Sequence, residues 1–237
     1  MVEDLEKRLK KPTGAAWNLI GAALLLCGSS VFADVNMTLT GAGNNGVLGN
    51  VYVGPYQGTI NGVSTPIICD DFFDDSYLNE AWTARTSTFS NLNNTKFGAA
   101  DTQQYDEAAW LAQRLVNPTT TCAYAMANCA GDIQFAIWQV FDNSGSNQPF
   151  SLLGGHDLLN AQSWLTQAQH QTFTQGEFSN VTIYTPVSCT ANCGSWPSQE
   201  FMVVSTPEPS ELALLGIDLS GVGTLLFLLY RRRARQV

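Results

Sequence analysis

A nearly continuous apolar run from residue 212 to 230, followed at once by Arg231, Arg232, Arg233 and Arg235, limits how much of this chain can fold in water. A helix needs roughly 20 apolar residues to cross a bilayer, and the run is close to that length. Asp218 is its one costly residue, at about 2.5 to 3.5 kcal/mol if it sat mid-bilayer. Arginines directly after such a span stay in the cytoplasm, which puts the preceding chain outside. The opposite end reads as a charged MVEDLEKRLKKPTG, an apolar AAWNLIGAALLLC, and GSSVFA with Val31 and Ala33 at cleavage-site spacing. That order predicts a secretory signal peptide cut after Ala33. Cys27 is a poor lipidation site, because Leu26 occupies a place where a small residue is needed. The expected division is a signal peptide over 1–33, an exported body over 34–206, and a C-terminal segment over 207–237 that contains a transmembrane helix at 212–230.

Once the two ends are set aside, the body is strongly acidic. It holds 14 of the 20 acidic residues, against Arg85, Lys96 and Arg114 as its only cationic side chains. A surface of that sign repels phosphate backbones, so nucleic acid is excluded as a partner.

The body is rich in Gly, Asn, Ser and Thr. Short apolar alternations in VNMTLTGAG, GNVYVGPYQGTING, STPIICDDF, FSNVTIYTP and EFMVVSTP predict strands, and Asn61-Gly62 is the best hairpin turn. Three segments carry helical spacing instead. In TQQYDEAAWLAQRLVN the stripe is Tyr105, Ala108, Ala109, Leu111, Ala112 and Leu115. In GDIQFAIWQVFDN it is Ile133, Ile137, Val140 and Phe141. In HDLLNAQSWLTQAQHQ, Asp157 is a candidate cap ahead of Leu158, Leu159, Trp164 and Leu165. The expected fold is α+β, a β-rich sandwich or barrel-like shell with a helical insert between its early and late strands.

Six cysteines in an exported chain point to disulfides. Cys27 leaves with the signal peptide. Cys122 and Cys129 bracket one short loop, and Cys189 and Cys193 bracket another, so both pairs can close locally. Cys69 remains. It is then buried and inert, paired between molecules, or chemically employed. The acids after it, Asp70, Asp71, Asp74 and Asp75, lack the spacing of a calcium loop and read as a solvated turn. Only His156 and His170 could serve Cys69 as a base, and both lie in polar helical surroundings. The aromatics Tyr52, Tyr56, Trp82, Trp110 and Trp196 could form a sugar platform, but their scatter suits packing better. No metal, cofactor or catalytic residue is expected, and the chain does not read as an enzyme.

The C-terminal segment places Pro207-Glu208-Pro209 and Ser210 before an apolar helix and an arginine cluster headed by Arg231, Arg232 and Arg233. This resembles the PEP-CTERM sorting signal of Gram-negative, often biofilm-forming bacteria, over about the last thirty residues. The resemblance implies export through the inner membrane and transient C-terminal anchoring. An exosortase-type membrane protease would then process the chain and deliver it to the cell surface or extracellular matrix.

The helical stretch IQFAIWQVF, with Gln134, Ala136, Ile137 and Trp138, resembles the Gln-x-Ala-Ile-Trp motif of bacterial thioester domains in surface adhesins. In that family a cysteine early in the domain joins its sulfur to the side-chain carbonyl of the glutamine. Cys69, after Ile67-Ile68 and before Asp70, stands where that cysteine is expected. The resemblance spans roughly residues 50 to 185. It implies a Cys69–Gln134 thioester walled by Ile68, Asp70, Phe135, Ile137 and Trp138, and attachment to surface amines. The chain departs from the pattern at Ile133, where Thr is usual, and at Asp71, where an apolar residue is commoner. Carboxylates beside the sulfur disfavour the thiolate. The alternative is a noncovalent structural or exopolysaccharide-associated matrix protein that keeps the scaffold without the reaction.

Overall fold

The computed structural model describes residues 34–205, apart from 118, 124–127, 143–144, 146–147 and 195. The expected signal peptide, Pro207, Glu208, Pro209, the transmembrane helix and the terminal arginines lie outside the described residues. Among the described residues no helix is long and apolar enough to cross a membrane.

Six strands close into an antiparallel barrel. They are β1 (Val35–Gly41), β4 (Tyr56–Ile60), β5 (Val63–Cys69), β6 (Ala81–Thr88), β7 (Val181–Ala191) and β8 (Phe201–Val204), in the order β1-β4-β5-β8-β7-β6. The short strands β2 (Val47–Leu48) and β3 (Val51–Tyr52) form a separate hairpin. Asn61 and Gly62 have φ values of 49° and 82° and turn β4 into β5, with Ile60 paired to Val63. Two successive positive φ angles match the right-handed twist of the strands, which is why Asn-Gly serves there.

Among the described residues the α-helices all lie between β6 and β7 in sequence. They are α1 (Thr102–Val116), α2 (Cys129–Val140), the short α3 (Gln148–Ser151) and α4 (Gly155–Gln169). The fold is therefore α+β, with a barrel as the shell and the helices as an insert. Strand β6 was not anticipated; its only clear signal is Trp82 and Ala84, fully buried at alternate positions.

Helix α2 is the central helix. Asn128 caps it by accepting the Gly131 N–H at 3.1 Å, and every side chain from Asp132 to Trp138 is buried. Apolar residues all round a helix mean that it is enclosed on every side. Each fully buried Ile or Phe contributes about 2 to 3 kcal/mol relative to exposure. On one side Ile133 and Ile137 join Tyr105 and Leu111 of α1, with Ile68, Ile183 and Met202 from the barrel strands. On the other, Phe135 and Trp138 join Met37, Ile67, Cys69, Trp82 and Phe201. The end of β5 is thus buried on both faces, which explains the unbroken apolar run Ile67-Ile68-Cys69.

In α4 the capping expectation fails. Gly154 occupies the cap position, and Asp157 lies in the first turn with its carboxylate accepting the Asn128 N–H at 3.3 Å. Asp157 therefore ties α4 to the start of α2. Leu159 is exposed, and the buried residues of α4 are Asn160, Ala161 and Ala168.

Candidate functional site

Cys69 is the last residue of β5, paired across the ladder with Phe201. Gln134 lies in the second turn of α2. Both are fully buried, and the Gln134 side-chain Nε2 donates to the Cys69 main-chain carbonyl at 2.6 Å. Its Oε1 has no hydrogen-bond partner. Gly54, just ahead of β4, covers that oxygen so closely that a methyl group there would sit 2.6 Å from it.

The Cys69 thiol donates to the main-chain carbonyl of Asp71 at 3.0 Å. Burial pushes the thiol pKa well above its ordinary value, and Asp71 and Asp70 push it further. The Trp138 indole N–H and the Asp71 main chain oppose that shift. Trp138 shares the buried cluster of Cys69, and its indole N–H has no hydrogen-bond partner.

Buried polar atoms without a partner are rare in folded proteins, and each calls for a reason. Among the described residues they belong to Asp70, Trp82, Asp132, Gln134 and Trp138. Three of these five, Asp70, Gln134 and Trp138, adjoin Cys69 by sequence, hydrogen bond or a shared buried cluster.

The residues expected to wall the site separate into three groups. Phe135 and Trp138 share a cluster with Cys69, and Phe72 packs on Trp138 with ring centroids 5.4 Å apart. Ile68 and Ile137 point away, into the cluster against α1. Asp70 is a fully buried acid with neither oxygen partnered.

The acidic turn after Cys69 is not solvated as a whole, because Asp71 is fully buried as well. Lys96 bridges Asp71 and Asp74, the latter at 2.6 Å. Asp70 is pushed up by burial first and then by Glu200 and Asp71. Glu200 is also raised, chiefly by burial, but it accepts from the Tyr105 hydroxyl at 2.5 Å, the Lys96 N–H at 2.7 Å and the Thr185 hydroxyl. Three donors on Glu200 and none on Asp70 place the proton of this pair on Asp70. Among the described residues no group of three or more His, Cys, Asp or Glu could hold a metal ion.

Glu200 and Gly54 were not singled out by sequence reasoning, while Tyr105 was read as helix packing and Lys96 only as one of three cations. Lys96 carried a usable signal, being the only lysine of an acidic body. Cys122 pairs with Cys129 and Cys189 with Cys193, at Cα separations of 5.4 and 6.1 Å, which leaves Cys69 as the free cysteine among the described residues. His156 and His170 lie on α4 and its C-terminal cap. Trp82, Tyr56 and Trp110 are buried while Tyr52 and Trp196 are exposed, so these five do not form one aromatic platform.

No protein family, curated protein or solved structure matches the chain.

Proposed function

We propose that this is an exported surface or matrix protein that attaches covalently to amines through a thioester between Cys69 and Gln134. The contact that carries this reading is the 2.6 Å hydrogen bond from the Gln134 side chain to the Cys69 carbonyl, between groups 65 residues apart. The Cys69 sulfur attacks Cδ of Gln134, the C–N bond breaks, and the thiol proton leaves with the amide nitrogen as ammonia. A partner's primary amine then attacks the same carbon, forming an amide and returning the proton to sulfur. Each molecule reacts once, so the protein is a reagent and not an enzyme, with no metal or cofactor required.

Full burial of both residues supports the reading, since an acyl–sulfur bond persists only where water is kept out. The acidic body would draw in amine-bearing, cationic surfaces. Pro207-Glu208-Pro209, with Arg231, Arg232 and Arg233, would direct the chain to an exosortase-type protease of a Gram-negative inner membrane. The chain would be anchored by its C-terminal helix until processed, then released to the cell surface or matrix.

One observation favours a second reading. The thiol pKa is pushed well up by burial, Asp71 and Asp70, which slows attack and suits a noncovalent structural or exopolysaccharide-associated matrix protein. A biotin-bearing primary amine separates the two. Stable labelling that maps to Gln134 and is lost in Cys69→Ala supports the thioester, and absence of labelling in the wild type supports the noncovalent role.

A further inference from the structure

We propose that the Trp138 indole N–H is a catalytic donor that takes up negative charge on the Cys69 sulfur whenever the acyl–sulfur bond is made or broken. This rests on the thioester reading above. Trp138 follows Gln134 by four residues on α2, so the two share a face one turn apart. Helical side chains lean toward the helix N-terminus, which brings the indole back toward Gln134.

The ring is held there. Phe135 meets it edge-on at 5.0 Å between centroids, Phe72 packs on it at 5.4 Å, and Trp138 is only 3% exposed. Its N–H is nevertheless without a hydrogen-bond partner. A buried donor is costly to leave unmade, and an indole N–H can only donate. Trp138 and Cys69 lie in the same buried cluster, where the indole N–H opposes the rise of the thiol pKa, and the thiol's own proton goes elsewhere, to the Asp71 carbonyl. The donor is thus held ready for a state in which the sulfur carries charge.

Such a state occurs in the proposed reaction. As an amine attacks Cδ of Gln134, the C–S bond breaks and its electron pair moves onto sulfur, before the amine proton reaches it. Asp70 and Asp71 oppose negative charge on that sulfur. A prearranged donor aimed at developing charge lowers the barrier without reorganising. No proton leaves the indole; it supplies a hydrogen bond only. The same donor assists formation of the bond, where the attacking sulfur is the anion.

The opposite role, a plain apolar shield, makes different demands. Trp138→Phe keeps an apolar ring and removes the N–H. A donor role predicts that the variant still forms the thioester but opens with methylamine about tenfold to a hundredfold more slowly than wild type. Opening at the wild-type rate, or faster, overturns the proposal. A second measurement covers the case in which Trp138→Phe does not fold or the wild type carries no thioester, the latter shown independently by its intact mass. With 15N-labelled tryptophan in the Gln134→Ala protein, where Cys69 is free in any event, the Trp138 indole proton is assigned through its own backbone. Adding Cys69→Ala should shift that resonance, because the atom packed against the N–H is removed. An unmoved resonance overturns the contact on which the proposal stands.

Discussion

Gln134 gives its side-chain N–H to the main-chain carbonyl of Cys69 at 2.6 Å and leaves its own carbonyl oxygen unpartnered under Gly54. The strand end and the central helix are thus joined through the two side-chain-bearing residues of the proposed bond. The carboxamide is fixed by one of its donors, and its electrophilic carbon is left next to the β5 terminus. Loss of the nitrogen as ammonia would exchange that hydrogen bond for a covalent link.

The close cover over Oε1 gives the first prediction. A methyl group in Gly54→Ala would lie 2.6 Å from Gln134 Oε1, so the carboxamide must turn away or the loop must lift. Overpacking of this kind costs about 1 to 3 kcal/mol. Amine labelling of Gln134 should be lost, with a matching drop in urea stability. Gly154→Ala, where nothing lies within 4 Å of the added carbon, is the control and should label normally. Normal labelling of Gly54→Ala would show that the carboxamide does not need its present position.

Lys96 is the counter-charge of the acidic turn. Asp71 is fully buried and Lys96 is 28% exposed, so Lys96→Met leaves a buried carboxylate without its cation. Breaking such a half-screened pair should cost about 2 kcal/mol in a denaturant titration. Arg85→Met removes a cation that makes no ion pair among the described residues, and should change stability by less than about 0.5 kcal/mol. Equal effects from the two would mean that Asp71 is neutral already.

Acid should stabilise this fold. Asp132 is pushed up to about 7 by burial first, against the Asn160 amide at 3.0 Å, with Asp157 adding to the rise. An unfolded aspartate titrates near about 3.9. The folded state therefore binds this proton more tightly. Its contribution is fully present below about pH 4, is lost as pH rises through about 7, and changes no further above that. Asp70 and Glu200 shift in the same direction. The melting temperature should fall between pH 4 and pH 7.5, and Asp132→Asn should flatten part of that slope. A melting temperature that rises over the interval would contradict the sign.

The three main helices were legible because each carries an apolar face at helical spacing, and the β4–β5 turn because Asn61-Gly62 is nearly unambiguous chemistry. Strand β6 was not, since AWTARTST offers few apolar residues and makes its pairings with β1 and β7, far away in sequence. The Asp157 cap misled for a related reason: its carboxylate serves α2 instead of its own helix. Cys69 and Gln134 were paired only by resemblance to a motif, as no periodicity links residues 65 apart. The Asp70, Glu200 and Tyr105 cluster joins three distant segments, and a buried acid in SQEFMVV looks in sequence like any strand-leading charge.

The proposed C-terminal address has a test of its own. Deleting Arg231 to Val237 should strand the protein in the inner membrane, and replacing Pro207-Glu208-Pro209 by alanines should block processing, as followed by cell fractionation. Release of both variants to the exterior would remove the exosortase assignment.

The most direct measurement of the Cys69–Gln134 bond is an intact mass. Residues 34–206, produced under oxidising conditions, should weigh one ammonia less than the sequence with its two disulfides requires. Cys69→Ala and Gln134→Ala should each abolish the deficit, because each removes one partner of the bond. Methylamine should add to Gln134 and release Cys69 for alkylation. A wild-type mass with no ammonia lost would contradict the thioester and leave the noncovalent matrix role.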